Sequence, residues 1–259
     1  MKIMLSKVIG CIFGLIVCAG CSVKENRDLC PCQLILDFCE VDTALIRTVE
    51  IEITSQDGYI CQDYVETAGS GSEYIVEVPR RQLRLCVWNG REGYESDDGL
   101  RIPYGREAPE VYFHSSAIDA GCEQFREVVR MRKNHCRLTM LLKGEEVTPV
   151  EIRLHGNVDG YTADGRPSAG RFKCSSKVGD DACCSVVLPR QTDDSLVMEL
   201  EDGSGILKKF AIGEYIAESG YDWKASDLED LFIELDFAVT HLTLVIQGWE
   251  KEHKFDVVI

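Results

Sequence analysis

Apolar residues recur at every second position along most of this chain, and that period restricts it to sheet. In Thr48–Thr54, Val49, Ile51 and Ile53 face one way while Glu50, Glu52 and Thr54 face the other, as in a strand with one wet face. Tyr74, Val76 and Val78 repeat the pattern before Pro79. Leu83, Leu85 and Val87 repeat it before Trp88, and Asn89 with Gly90 then supplies a turn. Further copies stand at Leu138, Met140 and Leu142, at Ile152 and Leu154, and at Leu196, Met198 and Leu200. Three more follow: Leu231, Ile233, Leu235 and Phe237; Leu242, Leu244 and Ile246; and Phe255, Val257 and Ile259. Strands so regularly spaced, parted by loops rich in Gly and Asp, specify an all-β chain of antiparallel sandwiches. Helical signals are few and short. Gly213 to Ser219, stopped by Gly220, makes about two turns, and Ser226 with Glu229 fits a capping box before Leu231.

The first residues follow a different rule. Lys2 and Lys7 form a basic n-region, Val8 to Ala19 an apolar h-region, and Ala19 and Gly20 are the small residues that a signal peptidase requires. The run is too short to span a bilayer. A small pair followed at once by cysteine resembles the bacterial lipobox, with Cys18 standing where an aliphatic is usual. Cleavage between Gly20 and Cys21 then leaves Cys21 first in the mature chain, with diacylglycerol on its sulfur and an acyl group on its nitrogen. At about 0.8 kcal/mol per buried CH2, several acyl chains of palmitate type hold a protein on a membrane without any other membrane segment.

Residues 22–33 are polar and charged and read as a tether from lipid to fold. The basic run Arg130 to Asn134 separates two sets of strands of similar extent, so the expected plan is signal peptide 1–20, lipidated tether 21–33, and sandwiches at 34–133 and 134–259. Both sandwiches open alike, on Cys32, Leu34, Leu36 and Phe38 and on Cys136, Leu138, Met140 and Leu142, a hint of duplication. The formal charge is -16, and more negative once Lys2 and Lys7 are lost, which argues against nucleic acid or anionic headgroups as partners. Of thirteen cysteines, ten remain after loss of Cys11 and Cys18 and lipidation of Cys21; disulfides are permitted in an exported chain but spacing does not reveal their pairing. Cys30 and Cys32 enclose only Pro31, and Cys183 adjoins Cys184, so neither pair has zinc or thioredoxin-like spacing. No metal and no cofactor is expected.

Candidate chemistry is sparse. His135 beside Cys136 suggests a thiol and its base, but neighbours on a strand point to opposite faces, so a core Cys and a surface His are expected. His114 precedes Ser115 and Ser116 without a nucleophile elbow. The acidic loops Glu95, Asp97, Asp98, Gly99 and Asp159, Gly160, Asp164 could take calcium but lack the EF-hand order and read as turns. Trp88, Trp223 and Trp249 could form a sugar platform, although aromatics flanking strands usually pack in cores. With no triad, metal cluster or phosphate loop, an enzyme and a small-molecule substrate are not expected.

Read in order, several segments carry a resemblance: CPCQLILDF from Cys30, YIVEVP from Tyr74, LCVWNG from Leu85, VYFHSS from Val111, KNHCRLTM from Lys133, HGNVDGYTADGRPSAGRF from His155, LPRQTDDSLVMEL from Leu188 and FAIGEYIAESGYDWKASDLED from Phe210. Together they resemble the FimB/Mfa2 family of fimbrial anchor and accessory subunits of Bacteroidales. The resemblance implies two tandem transthyretin-like sandwiches, a lipid anchor in the outer membrane with the body exposed at the cell surface, and shaft or accessory pilins as partners. It also implies strand exchange, because shaft subunits of that system lose a first strand to an arginine-directed protease and accept a donated one. An anchor must keep its lipidated end, so the bonds after Arg27 and Arg47 are expected to stay intact. Lys254 to Ile259 reads as an ordinary edge strand or, alternatively, as a donor. The competing reading is a surface glycan-binding lipoprotein.

Overall fold

A computed structural model describes residues 30–67, 73–96, 99–143, 151–179, 181–202, 205–236, 241–246 and 249–253. Gly20, Cys21, Arg27, Phe237 and the segment 254–259 lie outside them.

The first half of the chain forms β1 (Cys32–Asp37), β2 (Thr48–Thr54), β3 (Ile60–Glu66), β4 (Glu73–Val78), β5 (Gln82–Asn89), β6 (Glu95–Ser96), β7 (Gly99–Arg101), β8 (Tyr112–Asp119), β9 (Gln124–Val128) and β10 (Arg132–Lys133). The second half forms β11 (His135–Lys143), β12 (Glu151–Thr162), β13 (Pro167–Lys177), β14 (Cys183–Pro189), β15 (Val197–Asp202), β16 (Gly205–Phe210), the helix α1 (Ile212–Glu218), β17 (Leu231–Asp236), β18 (His241–Ile246) and β19 (Trp249–His253). β1 begins at Cys32, which is fully buried, so the fold takes up the last two residues that polarity assigns to the tether. α1 covers the expected two turns; Ser226 to Asp230 instead form a bend and an irregular stretch running into β17, with the Ser226 hydroxyl on Asp227.

Two pairs of facing sheets result. The first sandwich sets β4-β1-β9 against β10-β8-β5-β2-β3; the second sets β14-β11-β17-β18-β19 against β16-β15-β12-β7-β6, with β13 on the other edge of β12. Pairing is antiparallel apart from β1 with β9 and β11 with β17, which are parallel. These exceptions match: each half's opening strand lies between an antiparallel neighbour, β4 or β14, and a parallel one, β9 or β17. The residues that hinted at duplication, Cys32, Leu34, Leu36, Phe38 and Cys136, Leu138, Met140, Leu142, all face a core.

β2 shows the expected alternation, with Val49, Ile51 and Ile53 buried. β5 departs from it: Leu85, Cys86, Val87 and Trp88 are buried in succession. Leu85 and Val87 enter the first core, while Cys86 and Trp88 enter the second, where the Trp88 ring meets Phe113 of β8 at 4.2 Å. Leu100, Ile102, Ala108 and Val111 join them, so the stretch between β5 and β8 belongs to the second core. β6 and β7 extend the β12 sheet in the same sense. Their approach is close: a Cβ on Gly160 would collide with the Leu100 carbonyl oxygen, and two register shifts on either side of Val158 bend β12 toward that contact. Asn89 stays in β5 and Gly90, at φ +84 against the Glu110 carbonyl, makes a bend; the hydrogen-bonded turn comes after it, from Arg91 to Tyr94, and leads to β6 rather than closing a hairpin.

Candidate functional site

β1 opens the first sandwich, and side chains fasten it on both sides. Arg126 of β9 reaches Asp37 of β1 at 3.0 Å and Glu73 of β4 at 2.6 Å, so one guanidinium spans all three strands of the sheet. The Cys39 amide, with Arg126 behind it, holds the Asp37 carboxyl below its usual range. Gln124 Nε2 donates to Gln33 Oε1 at 2.8 Å, and Arg130 clasps Glu40 just beyond the strand at 2.5 and 2.8 Å. Leu34 and Leu36, both wholly buried, face the core beneath. The arrangement holds a central strand by two ladders, a core and a cross-strand charge network.

β3 and β4 are edges of the facing sheets of this sandwich. Edge strands present unpaired backbone groups to which another chain can add a strand. β3 turns Asp63 toward the core side, where its carboxylate accepts from the Tyr74 hydroxyl of β4 at 2.7 Å. Burial and that carboxylate both raise the Tyr74 pKa, so the phenol stays a donor. An inward carboxylate on an edge strand opposes indiscriminate pairing. The outward faces carry Ile60, Tyr64 and, on β4, Ile75, all more than half exposed. On the other sandwich β19 is an edge, directly before the terminal segment considered as a donor.

Residues considered for catalysis are spent on structure. Cys136 is buried as expected and its thiol bonds to Tyr221, but His135 is buried too, at 3 % exposure, and not at the surface. Tyr112 meets its ring edge-on at 5.2 Å and the Val111 carbonyl lies 3.1 Å from Nδ1, because the start of β11 is covered by the first half. Burial, above all, depresses its pKa to about 4. His114 Nε2 lies 3.3 Å from Glu127, and Nδ1 accepts from the Arg130 amide; Ser115 points to the opposite, exposed side of β8. The calcium candidates hold other groups. Glu95 accepts from the Gly93 amide, Asp159 pairs with Arg101 at 2.8 Å, and Asp164 with Arg166 at 2.7 Å; Asp97 and Asp98 lie outside the described residues. Among the described residues no three His, Cys, Asp or Glu converge as metal ligands.

The tryptophans do not form a common platform. Trp88 is fully buried and Trp223 is buried to 9 % exposure, while the Trp249 side chain is not among those described. Trp223 does, with Tyr221 edge-on at 4.8 Å, floor an open depression of about 640 Å³ rimmed by Asp193, Asp194, Asp222 and Lys224.

Three arginines that the sequence did not single out organise the molecule. Arg126 does so at β1. Arg91, over the Trp88 ring, forks onto Glu50, with Nε to Oε2 at 2.6 Å, and approaches Glu52 at 3.6 Å. Arg190 donates Nη1 to the Trp223 and Ala225 carbonyls at 2.6 Å each and Nε to Asn134 at 2.9 Å, tying the loop before β17 to the junction between halves. Their partners lie far away in sequence, so no local spacing marks them.

Compared with known proteins, the chain matches no family model and no curated protein. Solved structures do match. The fimbrial anchor protein Mfa2 of Porphyromonas gingivalis superposes with a TM-score of 0.62 at 14 % identity, over 87 % of this chain and 100 % of that one. The fold is similar to that of a fimbrial anchor. A candidate adhesin from Bacteroides ovatus gives 0.62 at 12 % identity over 90 % and 97 % of the two chains. A candidate polysaccharide-binding protein from Bacteroides thetaiotaomicron gives 0.64 at 11 % over 88 % and 100 %. At these identities the likeness is one of fold, and it runs the full length of two β-sandwiches. Among the described residues no helix is long and apolar enough to cross a membrane.

Proposed function

We propose that this protein is an outer-membrane lipoprotein, cleaved behind Gly20 and acylated on Cys21, that anchors or joins a fimbrium at the cell surface and holds shaft pilins by strand-exchange contacts. The observation that carries this reading is the likeness in fold to the Mfa2 anchor over that protein's whole chain. The seating of β1 supports it: a strand held by two ladders, a buried face and Arg126 suits a subunit that retains its first strand. The same reading divides the body into domains at 34–133 and 134–259, the first domain lending β6, β7 and the faces of β5 and β8 to its neighbour's core.

The test is to express the tagged chain in a Bacteroidales host, crosslink gently isolated fimbriae and identify the partners by mass spectrometry, with Cys21→Ala as control. Co-purifying shaft pilins, together with fimbriae shed by the Cys21→Ala strain, are expected. Absence of pilin from both strains would reject the anchor.

A surface glycan-binding lipoprotein is the second reading, favoured by the depression that Tyr221 and Trp223 floor beneath carboxylates. Tyr221→Ala in a folded variant abolishing binding to a glycan array would establish it. Trp88 has no part in it, being sealed in the core.

A further inference from the structure

Two cysteines, Cys32 and Cys122, stand near one another at the base of β1. Cys32 opens β1 and Cys122 lies in the bend that opens β9, and the next residues of the two strands are hydrogen-bonded directly, Gln33 N donating to Glu123 O at 2.9 Å. The bend turns the Cys122 thiol back, where it meets the Gln124 carbonyl at 3.1 Å and lies within hydrogen-bonding reach of the Cys32 thiol. Their exposures are complementary: Cys32 is wholly buried and Cys122 is exposed. Burial, and then the neighbouring Cys122 thiol, hold the Cys32 pKa above its usual range, and the Arg80 guanidinium offsets part of that rise. The other described cysteines are also free thiols, and Cys30 and Cys39 flank β1 at exposed positions.

We infer that Cys32 and Cys122 form a disulfide that clamps the first strand into its sheet. Its formation needs a disulfide-bearing oxidant, either a small disulfide such as oxidised glutathione or an exported thiol–disulfide oxidoreductase. The exposed Cys122 thiolate attacks one sulfur of that disulfide and releases the other as a thiol. The Cys32 thiolate then attacks the Cys122 sulfur of the mixed disulfide and releases the second thiol. Two S–H bonds give way to one S–S bond, and two electrons pass to the oxidant, which leaves as two thiols. The bridge closes a long loop of the unfolded chain, which is where such a link acts most strongly. If the protein anchors a fimbrium, a consequence that rests on the function proposed above, pull on Cys21 passes from Cys32 straight to the connection between β8 and β9 without shearing β1 from its neighbours.

The test is direct and independent of any fimbrial role. The purified full chain is treated with oxidised glutathione, its free thiols are alkylated, and it is cut with trypsin without reduction. The expected product joins peptide 28–47 to peptide 107–126, two hydrogens lighter than their sum, with fragmentation at Pro31 and beyond placing the bridge on Cys32. It persists in a Cys30→Ser, Cys39→Ser variant and is absent from Cys122→Ser. Reductant lowers the denaturant midpoint of the native sequence and leaves that of Cys122→Ser unmoved. Free alkylation of Cys122 after oxidation, or a bridge that maps to Cys30 or Cys39, overturns the inference. Either result leaves the crosslinking test of function unaffected.

Discussion

Arg91 and Glu50 show what a single residue contributes when its charge is enclosed. Their side chains are 8 % and 11 % exposed, so removing one partner leaves the other charged and nearly dry. Glu50→Gln is expected to cost about 3 kcal/mol, read as a lower midpoint in urea with the slope unchanged. His135 sets a pH dependence. Its folded pKa, about 4, lies below the unfolded value of about 6.5. Above the unfolded value both states are neutral and the group contributes no slope. As pH falls between the two values, only the unfolded chain takes up the proton, so stability declines, by up to about 3 kcal/mol when the folded pKa is reached. Equilibrium unfolding measured from pH 7 to pH 4 is expected to show that decline, and His135→Gln to flatten it. The depressed carboxylates, Asp37 and Glu40 among them, act in a lower window, losing their contribution as pH falls through and below the ordinary carboxylate range.

The first strand is held by two ladders, a buried face and Arg126. Leu36, next to its last residue, has no exposure, and Leu36→Ala is expected to cost about 2–5 kcal/mol by leaving a cavity between the sheets. Resistance to cutting is set further along. The bond after Arg47 enters β2, and Thr67 secures it: the Thr67 amide donates to the Arg47 carbonyl at 2.8 Å and its buried hydroxyl to the Ile46 carbonyl. Proteases need an extended, released backbone, so an arginine-directed protease is expected to spare this bond in the folded protein. In a time course followed by intact mass, Thr67→Ala should speed the appearance of a chain beginning at Thr48, since it removes one of the two bonds. Rapid appearance of that chain from the unaltered protein would count against retention of β1.

Over the whole molecule, the two sandwiches are joined by more than a linker. Trp88 and Phe113 come from a sheet of the first sandwich, yet lie in the second core, and Gly160 of β12 packs on the backbone of β7. Unfolding is therefore expected as one calorimetric transition rather than two. Phe113→Ala should lower it by about 3–5 kcal/mol while weakening the coupling, so that two transitions separate. The alternation of apolar residues was enough to specify sandwiches, because a strand with one wet face writes its orientation into every second side chain. It also located β2, β4, β12 and β17 and the two matching opening strands. It failed where a strand is buried on both faces, as at Leu85 to Trp88, and where a polar residue is buried by distant chain, as at His135. It was silent on Arg91, Arg126 and Arg190, whose partners are brought near only by folding. Sequence alone thus determined that the chain is mainly sheet and, on strands with one wet face, which residues turn to a core, since those follow from local period. Which core each face enters, how β1 is clasped, and which thiols meet were decided by the tertiary structure, because they depend on the pairing of strands far apart along the chain.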